Sequence, residues 1–283
     1  MSDRLDDLKT RIAALEAQHR LPDIVPLQRE LAGATGEEFG TESALYVAAL
    51  NELGSLLRAL KRLDESEEAF LEAAGIEGRV RGTEANADYA TCINNLAGTY
   101  RLMGEFEKAQ ALFGESMGIY EQTVGVEHFV YLSVLNNLGL VYQDLKRYDD
   151  ARALHEQALA VLQKSGKRNT AYATTLNNLA SVAMATGQHK DAERYLAETL
   201  ELYAQTVGKD TVPYLTGLNN LAAASYMAGD YREAETYFAE ALAMIERVLG
   251  TDHPDYARTG KNLARTREKL AETTEGDRDD DAK

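Results

Sequence analysis

One cysteine, Cys92, stands among the 283 residues. No internal disulfide can form, and a lone thiol fits a reducing compartment. Long apolar runs are missing as well; none approaches the roughly 20 residues that cross a bilayer. The opening Met1-Ser2-Asp3-Arg4-Leu5-Asp6 is charged and holds no apolar signal stretch. The expectation is a cytoplasmic protein with no membrane partner. Positive charge is scarce: 30 Lys and Arg against 46 Asp and Glu leave a formal net charge of −16. General binding to nucleic acid or to an anionic bilayer needs the opposite balance.

Catalytic and metal-binding patterns are also wanting. There is no HExxH, CxxC or GxSxG spacing. Ser165-Gly166-Lys167 is a fragment of a phosphate loop without its other glycines or its preceding strand. The five histidines follow the periodicity described next: His128 and His253 occupy corresponding links, and His155 and His189 replace apolar positions. Structural roles are expected of them. Cys92, between Thr91 and Ile93, reads as a small packing residue. Neither catalysis nor a cofactor is expected.

What the chain has is a period. Tyr46, Tyr89, Tyr131, Tyr172, Tyr214 and Tyr256 are separated by 43, 42, 41, 42 and 42 residues. A similar phrase follows each, clearest in Leu135-Asn136-Asn137-Leu138-Gly139, Leu176-Asn177-Asn178-Leu179-Ala180 and Leu218-Asn219-Asn220-Leu221-Ala222. Periods of this length mark repeat architectures, in which each unit buries its apolar face only against its neighbours. Within one unit Leu135, Leu138, Gly139 and Tyr142 fall on one helical stripe. Lys146-Arg147-Tyr148-Asp149-Asp150 breaks the pattern as a turn, and Tyr148, Ala151, His155, Ala158, Leu159 and Leu162 form a second stripe ending near Gly166. Related units put Gly104, Gly187 or Gly229 at that turn, as helix C-termini prefer. Each unit is therefore expected to be an antiparallel helical hairpin in an all-α stack. Small residues at Gly54, Ala97, Gly139, Ala180, Ala222 and Ala264 let helices approach closely, and Ala109, Ala151, Ala192 and Ala234 precede the larger Phe113, His155, Leu196 and Phe238.

The order Leu-Gly-x-x-Tyr, then Ala-x-x-x-Phe, resembles the tetratricopeptide repeat. That repeat is usually about 34 residues long, whereas these units have 41 to 43. Leu249-Gly250-Thr251-Asp252-His253-Pro254-Asp255-Tyr256 and the recurring Leu-Asn-Asn-Leu-Ala are similar to the long variant found in kinesin light chains and many bacterial proteins. The resemblance implies a right-handed superhelical solenoid whose first helices line a concave groove. Its parts would be a degenerate N-terminal hairpin or cap over 1–45, interrupted by Pro22 and Pro26, then units 46–88, 89–130, 131–171, 172–213 and 214–255. A capping helix over 256–270 and a disordered acidic tail over 271–283 would complete it.

On that geometry two rows of asparagine run beside the core stripe. The first is Asn51, Asn94, Asn136, Asn177 and Asn219; the second is Asn95, Asn137, Asn178, Asn220 and Asn262, with Glu52 as the exception. Asparagine is a mediocre helix former, so its recurrence asks for a reason. A carboxamide both donates and accepts, as does an extended peptide backbone, and a ladder of them could hold a peptide whatever its sequence. The other reading is that a row bonds neighbouring helices. Specificity would come from positions that vary: Arg58, Arg101, Gln143, Met184 and Tyr226, joined by Arg258, Lys261 and Arg265 of the capping helix. The expected ligand is an extended peptide with acidic and apolar residues, held by a non-catalytic adaptor or scaffold. A self-associating assembly protein (a homo-oligomer) and a peptide-sensing regulator acting through a separate output partner are the alternatives.

Overall fold

The computed structural model describes residues 3–18, 20–166 and 168–280, with side chains as far as Glu272. His19, the remaining one of the five histidines, and Lys167, of the Ser165-Gly166-Lys167 fragment, lie outside the described residues. Among those described, thirteen helices and no strands occur. They are α1 (Asp3–Glu16), α2 (Leu21–Phe39), α3 (Ala44–Ala59), α4 (Leu63–Arg81), α5 (Ala87–Met103), α6 (Phe106–Thr123) and α7 (Phe129–Asp144), followed by α8 (Tyr148–Lys164), α9 (Thr170–Ala185), α10 (His189–Thr206), α11 (Val212–Ala228), α12 (Tyr231–Val248) and α13 (Pro254–Asp280). Contacts divide the chain into two compact units, residues 1–146 and 147–283.

Helix starts follow local chemistry. The link before all but one of the first helices supplies a capping residue: Ser43, Asn86 and Asn169 accept hydrogen bonds from backbone N–H groups of the first turn through a side-chain oxygen. His128 and His253 do the same through Nδ1, from Val130 N at 3.5 Å and Asp255 N at 3.3 Å. These two histidines are therefore caps. Thr211 opens α11 without a side-chain cap, with Pro213 in the first turn.

The tight turn inside a hairpin needs a left-handed residue. Gly104, Gly187 and Gly229 supply it with φ of 84°, 74° and 88°. Where glycine is absent, Lys61 and Lys146 adopt φ of 61° and 59° at the matching place.

In the first unit, each helix from α1 to α7 packs on the next, and the first helices α3 and α5, then α5 and α7, also touch. Leu5, Leu8, Ile12, Ile24, Leu31 and Ala34 form the core of the N-terminal hairpin. That hairpin is better formed than its prolines suggested. Pro22 sits in the first turn of α2, where its missing N–H had no partner to lose. Pro26 lies inside the same helix, which continues to Phe39 with Ile24, Val25 and Leu31 buried. Further along, Gly54 faces the ring of Phe70; a Cβ there would lie 2.8 Å from it.

In the second unit, α8 to α13 pack in the same sequential way. A core of Leu196, Leu200, Leu215, Leu218, Leu221, Met244 and Ile245 joins α10, α11 and α12. His155 is fully buried in α8, where other repeats carry Phe70, Phe113, Leu196 and Phe238. Burial without enough compensating solvation pushes its pKa down to about 4, so it is neutral at pH 7. The last helix does not stop at residue 270. It runs to Asp280 through much of the expected tail, a stretch with no proline and Gly276 as its one glycine; residues 281–283 lie outside the described part.

Three of the periodic tyrosines fasten their hairpins. Tyr46 donates to Glu72 at 2.9 Å, Tyr172 to Glu198 at 2.6 Å and Tyr214 to Glu240 at 3.4 Å. Each bond ties the start of a first helix to the second helix of its own hairpin. Burial and the neighbouring carboxylate raise the pKa of all three phenols, so each remains a donor.

Candidate functional site

The first asparagine row lies between helices. Asn51 of α3 donates through Nδ2 to Val47 O at 3.1 Å and to Cys92 Sγ on α5 at 3.2 Å. Its Oδ1 accepts from Asn95 Nδ2 at 3.2 Å. Asn177 of α9 donates to the Tyr203 hydroxyl on α10 at 3.2 Å. Asn219 of α11 accepts from Thr259 Oγ1 on α13 at 3.2 Å. Three members thus join one helix to another, the second of the two roles open to this row. Asn136 is buried. Asn94 lines a cavity, and its Oδ1 is sealed from solvent without a hydrogen-bond partner.

The second row is more open. Asn137 and Asn178 are half-buried, and Asn220 and Asn262 are exposed. Asn95 spends one donor on Asn51. Glu52, standing where the row begins, accepts from the buried Gln28 amide at 2.9 Å.

Five of the residues singled out from sequence converge on one cavity of about 300 Å³ in the first unit: Arg58, Asn94, Asn95, Arg101 and Asn137. Arg58 reaches across from α3 and donates to the Asn95 carbonyl at 2.9 Å, its guanidinium 5.6 Å from the centre of the Phe70 ring. Gly98 makes this possible, because a Cβ there would lie 2.6 Å from Arg58 Nη1. Burial lowers the Arg58 pKa from its ordinary value, and arginine stays charged regardless. Arg101 is held by Asp144 at 2.6 Å. The basic character expected here is therefore partly committed to the protein itself.

A larger cavity of about 570 Å³ opens in the second unit among α9, α10 and α11. Asn177, Met184 and Asn220 line it, together with Leu196, Tyr203 and Gly217. The remaining expected residues are dispersed. Gln143 is half-buried on α7. Tyr226 packs edge-on against Tyr231 at 5.3 Å and lies under Arg265, whose guanidinium is 5.2 Å from the ring centre. Arg258 pairs with Asp255 at 2.7 Å, and Lys261 is exposed.

A third cavity, of about 710 Å³, was not anticipated. It lies between the N-terminal hairpin and α3, lined by Lys9, Glu16, Gln28, Asn51, Glu52, Ser55 and apolar neighbours. The available signal was Glu52 breaking the asparagine row. Cys92 is wholly buried, and burial pushes its thiol up to about 11, which leaves it protonated. No described helix is long and apolar enough to cross a membrane.

Comparison with known proteins agrees with this architecture. Family models of the tetratricopeptide repeat match residues 45–122 and 130–205, and a further one matches 215–255. No curated protein matches the chain by sequence. Among solved structures, the nearly identical TPR-like repeats of a Podosopora anserina protein assigned as a kinesin light chain superpose with a TM-score of 0.64 at 21% identity, covering 71% of this chain and 95% of that one. BtubC (BKLC) from P. vanneervenii gives 0.67 at 20% identity, covering 87% and 94%. The apo form of RapI gives 0.61 at 16% identity, covering 95% and 99%. All three are likenesses of fold.

Proposed function

The chain belongs to the tetratricopeptide repeat family, an all-α helical repeat solenoid, and on that premise we propose that it is a non-catalytic adaptor that holds an extended peptide of a partner protein along its first helices. The observation that carries this reading is the meeting of Arg58, Asn94, Asn95, Arg101 and Asn137 around one cavity. Carboxamides of the second row offer a donor and an acceptor to a peptide backbone, each bond contributing about 0.5–1.5 kcal/mol net. The first row keeps the helices in register, so the ligand contacts fall to the second row, Asn95 and Asn137 in the first unit and Asn178, Asn220 and Asn262 in the second. A lone, buried and protonated thiol suits work in a reducing cytoplasm.

The test is capture of partners by the native protein and by a variant with Asn137, Asn178 and Asn220 all changed to alanine, after both show equal helicity and thermal stability. Partners released only by the variant are groove ligands. Retention of every specific partner would refute the amide ladder.

A further inference from the structure

The cavity among α9, α10 and α11 differs in chemistry from the others. The cavity at the N-terminal hairpin carries Lys9, Glu16 and Glu52, and the one among α3, α5, α6 and α7 carries Arg58 and Arg101. Its own lining has no ionisable carboxylate, ammonium or guanidinium, on a protein of net charge −16. Equivalent positions of the repeat explain why. Met184 stands where the first two repeats have Arg58 and Arg101, Leu196 where they have Phe70 and Phe113, and Gly217 where the second and third have Cys92 and Val134. One charge is thereby lost, and two side chains are replaced by smaller ones. The space left is about 570 Å³ against about 300 Å³ among α3, α5, α6 and α7. Leu196, Tyr203 and Met184 supply apolar surface, and Asn177, Thr216 and Asn220 supply polar groups. Asn177 is oriented by its bond to the Tyr203 hydroxyl. Few convergent polar groups around an apolar cavity of this volume describe a ligand pocket.

We propose that this cavity is a side-chain pocket that admits one bulky uncharged residue of the bound peptide, such as phenylalanine or leucine, and rejects a charged one. The assignment rests on the groove reading above. An ion entering the cavity would lose water and meet no opposite charge, whereas an apolar side chain gains by leaving water.

The probe is a set of short capped peptides of glycine, serine and asparagine with one central guest: Phe, Leu, Ala, Glu or Lys. Fluorescence anisotropy with the full chain should show the Phe and Leu peptides binding roughly tenfold or more tighter than the Ala peptide, with Glu and Lys no tighter than Ala. Gly217→Val should abolish that preference. Its added atoms press on Leu200, 3.3 Å from a Cβ at this site, so Met184→Arg, on the half-buried edge, is the companion variant. Met184→Arg should remove the preference and leave thermal unfolding unchanged. Equal binding of Phe and Ala guests overturns the pocket, as does a preference that survives Met184→Arg. Equally tight binding of N-acetyl-phenylalaninamide alone would make it a small-molecule site and also overturn the proposal. The pair Asn137→Ala with Asn178→Ala spares this lining and separates the two readings. Guest-independent binding that the pair abolishes keeps the groove and ends the pocket; a Phe preference that the pair leaves intact keeps the pocket and ends the amide ladder.

Discussion

His155 is wholly buried and occupies a site that three other repeats give to phenylalanine. Its folded-state pKa of about 4 lies below the ordinary value of 6.5, so the unfolded chain takes up the proton first. Stability is therefore undiminished above pH 6.5 and falls as pH drops from there towards 4, by roughly 3 kcal/mol in total. Chemical denaturation at several pH values should show this slope, and His155→Phe should flatten it. Lys61 offers a second single-residue test. It holds a left-handed conformation that glycine adopts freely, as at Gly104 and Gly229. Lys61→Gly should raise the unfolding free energy by about 1 kcal/mol, less the entropy that glycine adds to the unfolded chain.

At the scale of the helix, the two asparagine rows separate by what they touch. Asn51→Ala removes bonds to Cys92 and Asn95 on the neighbouring helix and should cost about 1 kcal/mol of stability. Asn220→Ala, at an exposed position, should leave the melting temperature within error while weakening peptide capture. Equal destabilisation by both would merge the rows into one structural role. Gly54→Ala should destabilise by about 1–3 kcal/mol, because its methyl would meet the Phe70 ring. Adding Phe70→Leu, the side chain that Leu196 supplies in a later repeat, should recover part of that loss.

These particular residues also show how far sequence reached. Tyrosine spacing and the Leu-Asn-Asn-Leu-Ala phrase set the hairpins because each repeat repacks the same interface, so a local pattern stands for a tertiary contact. Whether Asn51 met a ligand or Asn95 could not be read, since the pair is 44 positions apart and its bond depends on how far one hairpin shifts along the next. The pairing of Arg58 with Gly98 was hidden for the same reason. Glu52 was visible as an exception, but the cavity beside it depends on where α1 and α2 sit. Pro22 and Pro26 looked like breaks because a proline costs a bond in mid-helix; for Pro22, in the first turn of α2, that cost vanishes, whereas Pro26 lies inside a helix whose buried Ile24, Val25 and Leu31 hold it against the core.

For the whole molecule, net charge is the governing quantity. At −16 the protein repels an acidic peptide at distances beyond any single arginine, and salt screens that repulsion. Association of an acidic peptide should accelerate as ionic strength rises, that of a basic peptide should slow, and that of an uncharged apolar peptide should change little. Stopped-flow measurements across a salt series would read all three signs. An acidic peptide slowed by salt would place local arginine pairing above the global field.

The tyrosine-to-glutamate bonds carry one more implication. Because Tyr46, Tyr172 and Tyr214 each latch a hairpin to itself, the fastening travels with the module instead of belonging to the seam between modules. A gene that loses or duplicates one 42-residue period leaves every surviving latch whole, so reach along a partner can be lengthened or trimmed in steps without redesigning the fastener.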